Sequence, residues 1–362
     1  MLVITHFLWP LPWPLAAKIA IAVLMLVASQ FQYWSKLSSG SIFAPEFPRV
    51  IVLLFNWAGG AILFLALMQL LADAALFALW LLPGPTAVMV IEIRYAMAAL
   101  AMILAGVGVY NATRVPSLKD VRIDIAGLPL QFDGYTLVQL TDLHISRLFP
   151  TAWSRAVVDR TNALDVDLIA ITGDVIDGSL AMRRADVEPL RDLRARDGVF
   201  MSPGNHEYFL GYQEWMRHFA EMGIHILAND HVVLPRQGGN LVLAGVTDRT
   251  APATGMPPPN LAAALAGAPT GAPILLLDHQ PGPANTAAAH GVALQLSGHT
   301  HGGMIPGLDR LVAMGNSGFV SGRYRVGEMT LYVNNGTGIW PGFAMRLGRP
   351  AELTRITLHR KS

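Results

Sequence analysis

Apolar positions divide the chain into two parts. Residues 1–113 contain long uninterrupted apolar runs, whereas the rest of the chain alternates short apolar runs with polar segments. A membrane-spanning helix needs about 20 mostly apolar residues. The runs that approach this length are Ile19–Ser35, Val50–Ala72 and Tyr95–Thr113. The pattern therefore predicts an all-α transmembrane region over 1–113, followed by a domain built from shorter elements.

The number of spans is left open between three and four. A fourth would come from Met1–Ala17, or from dividing the segment 50–82 in two. Asp73 interrupts that segment, which then continues apolar as far as Pro83-Gly84-Pro85. An acidic residue inside a membrane is costly, so we expect Asp73 to lie near a helix end and reach the interface rather than serve as an intramembrane functional acid.

The second part alternates strands and helices at first and is mostly strands after residue 303. The predicted strands are Val121–Ile125, Tyr135–Leu140, Asp167–Ile171, Gly198–Met201, Leu241–Val246, Ile274–Leu277, Val292–Leu296, Gly327–Val333 and Glu352–Leu358. Helical spacing is found over Ala152–Ala163, Asp186–Arg196 and Gln213–Met222. This order predicts a layered α/β fold with its site beyond the carboxyl ends of the strands.

Composition agrees with a membrane part and a soluble part. The chain is 52% hydrophobic and 14% charged, and only seven of its 51 charged side chains lie in 1–113. A net charge of +1 gives no reason to expect a nucleic-acid partner. Because there is no cysteine, disulfides and thiolate metal sites are excluded.

Residue usage and hydropathy together predict where the protein resides. Arginine exceeds lysine and alanine is abundant, which suggests a bacterium with a GC-rich genome. We therefore expect a multi-pass protein of the bacterial inner membrane. With three spans, the positive-inside rule places the second part in the cytoplasm, but a fourth span would reassign the loops. The sequence leaves the side of the membrane open.

Metal-ligating side chains follow five predicted strands. The segments are Asp142-Leu143-His144, Gly173-Asp174, Gly204-Asn205-His206-Glu207, Asp278-His279 and Gly298-His299-Thr300-His301-Gly302-Gly303. The ligand candidates are Asp142, His144, Asp174, Asn205, His279, His299 and His301. Four imidazoles are too many for Ca²⁺ or Mg²⁺, which prefer oxygen, so the set suits Mn²⁺, Fe or Zn²⁺. Seven ligands suit two metals about 3.5–4 Å apart with one shared carboxylate, an arrangement that activates water for attack on phosphorus.

These motifs, in this order, resemble those of the calcineurin-like metallophosphoesterases, and their local strings resemble the membrane-associated YkuE/YaeI-like branch. The resemblance spans about 125–362 and implies a four-layer αββα sandwich with a dinuclear centre in which manganese is favoured. It implies one metal on Asp142, His144, Asp174 and His301, and the other on Asp174, Asn205, His279 and His299. His206 would then be the general acid that protonates the leaving oxygen.

The domains expected on this basis are 1–113 as transmembrane region, 114–124 as linker and first strand, and 125–362 as catalytic domain. The expected function is hydrolysis of a phosphodiester or pyrophosphate bond by metal-activated hydroxide. A lipid-linked substrate, such as a UDP-diacylglucosamine-type lipid A precursor, is suggested by analogy with the branch. Two alternatives stay open: a general phosphodiesterase or phosphomonoesterase for soluble or envelope phosphates, and a non-catalytic metal-binding scaffold.

Four further polar positions or segments near these motifs are assigned structural roles. We expect Asp177 and Asp248, which also follow strands, to cap turns. Glu207 stands where Asp is common after the Asn-His pair, and we expect no contact with metal. The segment 334–338 is expected to form a turn past a strand.

Overall fold

The computed structural model describes residues 1–83 and 88–361, so Gly84 and Pro85 of the predicted helix break lie outside the described residues. The chain forms two compact units. The first is Met1–Ala112 together with Pro341–Leu347, and the second is Thr113–Trp340 together with Gly348–Ser362. A short segment late in the sequence thus packs within the N-terminal unit.

The first unit is helical. It contains a π-helix at Val3–Leu8 and four α-helices: α1 (Leu15–Ser29), α2 (Phe31–Ser39), α3 (Arg49–Trp80) and α4 (Ile91–Thr113). Helices α3 and α4 are long and apolar enough to cross a membrane, and a third span exists if α1 and α2 are taken together. Because α3 runs without a break, the segment 50–82 forms one helix rather than two.

The predicted straight span Ile19–Ser35 is bent. Helices α1 and α2 meet at an angle of 57°. The Ser29 hydroxyl donates to the Leu26 carbonyl at 2.8 Å, a back-bond that bends helices, and Gln30 leaves helical geometry at φ −101°, ψ 25°. Asp73, within α3, meets Nδ1 of His6 at 2.8 Å and the Gln69 amide at 2.6 Å.

Pro341–Leu347 packs on α3 and α4 through polar contacts. Asn56, buried in α3, donates to the Pro341 carbonyl at 2.9 Å and accepts from the Ala344 amide. The Arg346 amide donates to the Gly108 carbonyl of α4 at 3.0 Å. Buried polar groups need such partners in an apolar setting, so these contacts hold the segment in place. We call Pro341–Leu347 the return segment.

The second unit is built on two six-stranded sheets. The strands are β1 (Leu118–Ile125), β2 (Thr136–Leu140), β3 (Leu168–Thr172), β4 (Val199–Ser202), β5 (His225–Ile226), β6 (Asp230–Arg236), β7 (Gly239–Gly245), β8 (Ile274–Leu277), β9 (Leu294–Ser297), β10 (Gly322–Val326), β11 (Met329–Val333) and β12 (Leu353–Arg360). The orders are β1-β12-β2-β3-β4-β5 and β10-β11-β9-β8-β7-β6. Strands β2 to β5 are parallel, as are β7, β8, β9 and β11.

An apolar core joins the facing sides of the two sheets. Leu137 and Leu168 of the first sheet belong to the same buried cluster as Leu243 and Leu296 of the second. The helices of this unit are α5 (Thr151–Asn162), α6 (Leu180–Val187), α7 (Asn205–Phe209), α8 (Tyr212–Glu221), α9 (Leu261–Ala264), α10 (Ala284–Ala289) and α11 (Leu308–Gly315). Two sheets between helices form the expected αββα sandwich.

One predicted helix is wrong in its extent. The spacing predicts a helix over Asp186–Arg196, but α6 ends at Val187 and a 3₁₀ helix follows at Glu188–Asp192. Pro189 lacks an N–H and cannot continue the α-helical ladder. The five strands expected before the ligand motifs are all present, as β2, β3, β4, β8 and β9.

Candidate metal centre

The first group of candidate ligands comes from the ends of β2 and β9. Asp142, His144 and His301 each offer a ligand atom within 4.8 Å of the other two. Nε2 of His301 lies 3.6 Å from Oδ1 of Asp142, and Nε2 of His144 lies 3.8 Å from the same oxygen. All three residues are buried. This spacing suits one cation held among the three side chains.

The second group comes from the ends of β3, β4, β8 and β9. Asp174, His279 and His299 bring ligand atoms within 4.8 Å of one another. Asn205, the first residue of α7, places its Oδ1 2.9 Å from Nδ1 of His299. All seven predicted ligands therefore lie in these two neighbouring groups.

Asp174 faces both groups through one oxygen. Its Oδ2 lies 3.1 Å from Nε2 of His279 and 3.9 Å from Nε2 of His144. The other oxygen, Oδ1, accepts the His206 backbone N–H at 2.8 Å. Asp174 thus has the position that a carboxylate shared by two cations requires.

Two imidazoles have the orientation expected of metal ligands. Nδ1 of His279 donates to the Thr172 carbonyl at 2.7 Å, and Nδ1 of His144 donates to Oδ2 of Asp177 at 3.0 Å. These acceptors place the proton on Nδ1, which leaves the lone pair on Nε2. Among the described residues, both buried Nε2 atoms have no hydrogen-bond partner. The donor set therefore fits divalent cations.

The electrostatics of the cluster favour positive charge. Burial opposes ionisation of Asp142, yet the neighbouring imidazoles of His301 and His144 hold its pKa below the usual range. Burial likewise opposes protonation of His144, but Asp177 and Asp142 raise its pKa to about 10. The pKa of His279 is raised chiefly by Asp174, against burial. Buried carboxylates that stabilise imidazolium stabilise a bound cation by the same attraction.

The backbone is strained at five predicted ligands. Left-handed φ angles occur at Asp142 (51°), His144 (45°), Asp174 (53°), His299 (70°) and His301 (50°). Such angles are uncommon outside glycine and cost about 1–3 kcal/mol each, so the surrounding fold has to impose them. They turn the side chains back toward the cluster at the point where each strand ends.

Two glycines allow the ligand loops to approach closely. A Cβ on Gly204 would lie 2.3 Å from Oδ1 of Asp174, and a Cβ on Gly298 would lie 2.2 Å from Oδ2 of Asp142. Any larger residue at these positions displaces a ligand. The sequence places glycine in the motifs that contain Asn205 and His299, and the structure gives the steric reason.

His206 joins a third group that the sequence did not anticipate. His144, Asp177 and His206 lie within 4.8 Å of one another. Nδ1 of His206 donates to Oδ1 of Asp177, and Nε2 lies 3.9 Å from Oδ2 of Asp174. The expectation that Asp177 caps a turn is wrong, because its carboxylate orients two imidazoles. In the sequence, the position of Asp177 three residues after Asp174 was the feature that could have indicated this role.

Glu207 has a structural role that the sequence also did not reveal. Its Oε2 accepts the N–H of Asp174 at 3.0 Å and of Gly204 at 2.7 Å, and its Oε1 accepts the N–H of Val175 at 2.7 Å. The carboxyl group thereby joins the loops after β3 and β4. It supports the ligand loops through their backbone.

The loop after β11 completes the wall of the cluster. A Cβ on Gly336 would lie 3.0 Å from Nδ1 of His301 and 3.1 Å from Cβ of Asp142. The Gly338 amide donates to the Asp142 carbonyl at 2.9 Å. The turn expected over 334–338 therefore packs directly against the first ligand group. Asp248 caps a turn as expected, because its Oδ1 accepts the Thr250 N–H at 2.7 Å, and both of its oxygens accept from the Gln280 amide at 3.0 Å.

Comparison with known proteins agrees with this geometry. Residues 135–303 match the family model described as calcineurin-like phosphoesterase. A zebrafish (Danio rerio) protein called transmembrane protein with metallophosphoesterase domain is 35% identical over 271 residues, covering 72% of this chain and 61% of its own length. An uncharacterized metallophosphoesterase of Campylobacter jejuni is 31% identical over 268 residues, with coverages of 74% and 69%.

A third relative is the Bacillus subtilis metallophosphoesterase YkuE. It is 29% identical over 238 residues, covering 64% of this chain and 81% of YkuE. The chain spans less than two thirds of the two transmembrane relatives, 61% of the Danio rerio protein and 63% of the Bos taurus protein.

The fold and the Asp/His cluster define a class, the proteins with a metallophosphoesterase domain. Within that class, the chain belongs to the calcineurin-like metallophosphoesterase family, as the family model and the Campylobacter jejuni relative show. The resemblance carried by the sequence motifs is confirmed. Members of the family use divalent metals, and the clustered carboxylates and imidazoles suit them.

Proposed function

We propose that this protein is a membrane-anchored phosphoesterase that hydrolyses a phosphodiester or pyrophosphate bond. The observation that carries the proposal is the position of Asp174, whose Oδ2 faces imidazole Nε2 atoms of both ligand groups. In this proposal, residues 1–113 anchor the chain in the membrane and residues 114–124 link this anchor to the catalytic domain. The catalytic domain begins near residue 125.

The proposed ligand assignment follows the two groups. One cation would be held by Asp142, His144 and His301. The other would be held by Asn205, His279 and His299, and Asp174 would contribute to both. Divalent ions supply charge that holds phosphate oxygens and lowers the pKa of a water molecule. We favour manganese, because the donors are carboxylate, amide and imidazole without thiolate.

Three side chains of this protein govern the proton. His206 lies beside Asp174 and donates a proton to the leaving oxygen as the bond from phosphorus to that oxygen breaks. Asp177 accepts from Nδ1 of His206, which keeps the proton for the leaving group on Nε2. Because His206 and Asp177 are buried, exchange of this proton with bulk water is limited.

The membrane location is part of the proposal. Helices α3 and α4 are apolar over lengths that cross a bilayer, and the relatives with 35% and 33% identity are called transmembrane proteins. We place the protein in a bacterial inner membrane as a multi-pass protein. A site tethered to a bilayer favours a lipid-linked phosphoester, of which a UDP-diacylglucosamine-type precursor is one example.

The test is metal-dependent hydrolysis by the full chain in detergent. The protein is stripped with chelator, Mn²⁺ is added in steps, and hydrolysis of bis(p-nitrophenyl) phosphate is followed. We expect activity to appear with Mn²⁺ and to fall at least about 100-fold in Asp174→Asn, which loses the shared carboxylate. The control is Asp159→Asn, an exposed carboxylate on α5, which should leave activity unchanged.

The other outcomes separate the alternatives. A folded protein that binds Mn²⁺, Fe²⁺ and Zn²⁺ without hydrolysing any phosphoester would overturn the enzymatic proposal and favour a metal-binding scaffold. Hydrolysis of soluble diesters at rates equal to or above those of lipid-linked ones would overturn the lipid-linked substrate alone and favour a general phosphodiesterase.

A further inference from the structure

Helix α11 leaves two large apolar side chains exposed beside the metal centre. Leu311 is 65% exposed and Met314 is 82% exposed. They are three residues apart, which places them on the same face of the helix. None of the residues of α11 is buried. Because a helix of eight residues is marginal in water without packing, its apolar face gains stability from a surface that covers it.

The segment that carries α11 begins and ends at the metal centre. It starts at the candidate ligand His301, and where it returns, the hydroxyl of Thr300 donates to the Val320 carbonyl at 2.6 Å. Gly303 approaches α11 so closely that a Cβ on it would lie 2.4 Å from Cα of Asp309. A surface that covers the exposed face of α11 therefore lies close to the candidate metal ligands.

The charges of α11 suit an anionic surface. The helix contains one acid and one base, Asp309 and Arg310. Asp309 is paired with Arg349 at 2.5 Å, so its charge is compensated within the fold. Arg310 is exposed and lies four residues before Met314, so its guanidinium flanks the apolar face. An apolar face flanked by a basic side chain is typical of helices that lie in the interface of a bilayer.

The chain itself keeps a bilayer within reach of α11. In the sequence, Gly348 and Arg349 directly follow the return segment, which packs on the apolar helices α3 and α4. Arg349 pairs with Asp309, and a Cβ on Gly348 would lie 3.2 Å from Cγ of Pro306, which precedes α11. A few residues of chain thus connect α11 to a segment that packs on helices able to span a membrane.

A protein partner fits this face less well than lipid does. A stable protein interface buries about 800 Å² on each partner and uses about 20–30 residues a side. The exposed apolar face of α11 offers two large side chains, Leu311 and Met314. Lipid chains need no complementary shape, and the unbranched side chain of methionine adapts to them.

We propose that α11 lies in the membrane–water interface, with Leu311 and Met314 inserted among lipid chains and Arg310 at the level of the headgroups. The inference rests on the membrane anchoring in the proposed function and adds a second contact with the bilayer to it. This contact brings the rim of the metal centre onto the lipid surface. A phosphoester carried by a lipid headgroup then reaches the metal centre without leaving the bilayer.

The test uses nitroxide labels, which are site-specific because the chain contains no cysteine. Leu311→Cys is labelled in the full chain, which is reconstituted into vesicles of phosphatidylethanolamine and phosphatidylglycerol. Electron paramagnetic resonance measures how often the label collides with oxygen, which enters lipid, and with a water-soluble nickel complex. We expect the ratio of oxygen to nickel collisions to be several-fold higher at position 311 than at the control position.

The matched control is Leu130→Cys. Leu130 is also 65% exposed, but it precedes β2, whose other end leads to Asp142, so it lies at the edge of the sheet away from the ligand loops. Its label should stay accessible to nickel. Adding Met314→Asp to Leu311→Cys should raise nickel collisions at position 311 several-fold, because a carboxylate is costly to place among lipid chains.

Equal ratios at positions 311 and 130 would overturn the inference. Dipolar broadening between labels at position 311 would also overturn it, because a second copy of the chain would then cover this face. Flotation of the same samples with the vesicles reports the anchoring separately. A chain that floats but carries a water-exposed label at position 311 refutes only the interfacial helix, and a chain that does not float refutes the anchoring as well. Neither measurement depends on hydrolysis.

Discussion

The carboxylate of Asp177 accepts a hydrogen bond from Nδ1 of His206. Its second oxygen accepts from Nδ1 of His144 at 3.0 Å, and Asp177 is only 1% exposed. One buried carboxylate thus fixes both a candidate ligand and the candidate general acid. Side chains that orient ligands in this way are worth about 10–100-fold in metal affinity or activity.

Asp177→Asn should lower kcat about 10–100-fold, because an amide has one acceptor oxygen and cannot accept from both imidazoles. Steady-state kinetics at saturating Mn²⁺, with metal content measured in parallel, tests this. Asp248→Asn is the control, because the side-chain hydrogen bonds of Asp248 come from Gln280 and the Thr250 N–H rather than from an imidazole. An unchanged kcat at full metal content would mean that His206 does not depend on Asp177.

Gly204→Ala should abolish activity through steric displacement of Asp174. The new Cβ would lie 2.3 Å from Oδ1 of Asp174, and the φ of −104° means that backbone strain makes no contribution. Metal content and hydrolysis should both fall at least about tenfold, as expected when a ligand is displaced. Gly315→Ala is the matched control, because nothing lies within 4 Å of its Cβ. Equal activity of the two variants would contradict the close approach.

Glu207→Gln should destabilise the fold rather than act on chemistry directly. The carboxylate accepts three backbone N–H groups, and an amide NH₂ would face at least one of them. A buried donor left without an acceptor costs about 1–3 kcal/mol of unfolding free energy. This loss of stability is measured by thermal unfolding of the metal-free full chain. The control is Glu221→Gln, which should leave the midpoint unchanged because the Glu221 side chain is 61% exposed. Equal midpoints for the two variants would show that Glu207 does not support the ligand loops.

Asn56→Leu should loosen the return segment. The Ala344 amide loses its acceptor and the Pro341 carbonyl loses a donor. If the lost hydrogen bond contributed about 1 kcal/mol, hydrogen exchange at the Ala344 amide should be roughly fivefold faster in the variant. Exchange measured by mass spectrometry on peptides covering 341–347 tests this. Gln69→Leu changes another buried amide of α3, which bonds Asp73, and should leave that exchange as it was. Unchanged exchange in Asn56→Leu would show that other contacts hold the segment.

Several features of the fold follow from local pattern alone. The strands before the five ligand motifs are buried, mostly apolar runs, and each ends within three residues of a candidate ligand. Parallel strands bring their carboxyl ends to one edge, so a sequence that lists ligands after strands already implies one site. The ligand set could therefore be predicted without contacts.

Other features do not follow from the pattern of apolar and polar residues. The bend between α1 and α2 depends on local geometry at Gln30 that hydropathy does not register. Glu207 and Asp177 are ordinary acids by sequence, and their roles exist only because the loops after β2, β3 and β4 meet. The packing of the return segment against α3 joins positions 288 residues apart.

The sequence by itself determined the family, the layered α/β class and the seven candidate ligands, because residue type and strand periodicity are local properties. Only the tertiary structure decided which acid supports His206 and which carboxyl group joins the loops after β3 and β4. Those relationships depend on distances and angles between separate loops. The packing of both sheets fixes these distances and angles, and no local pattern encodes them.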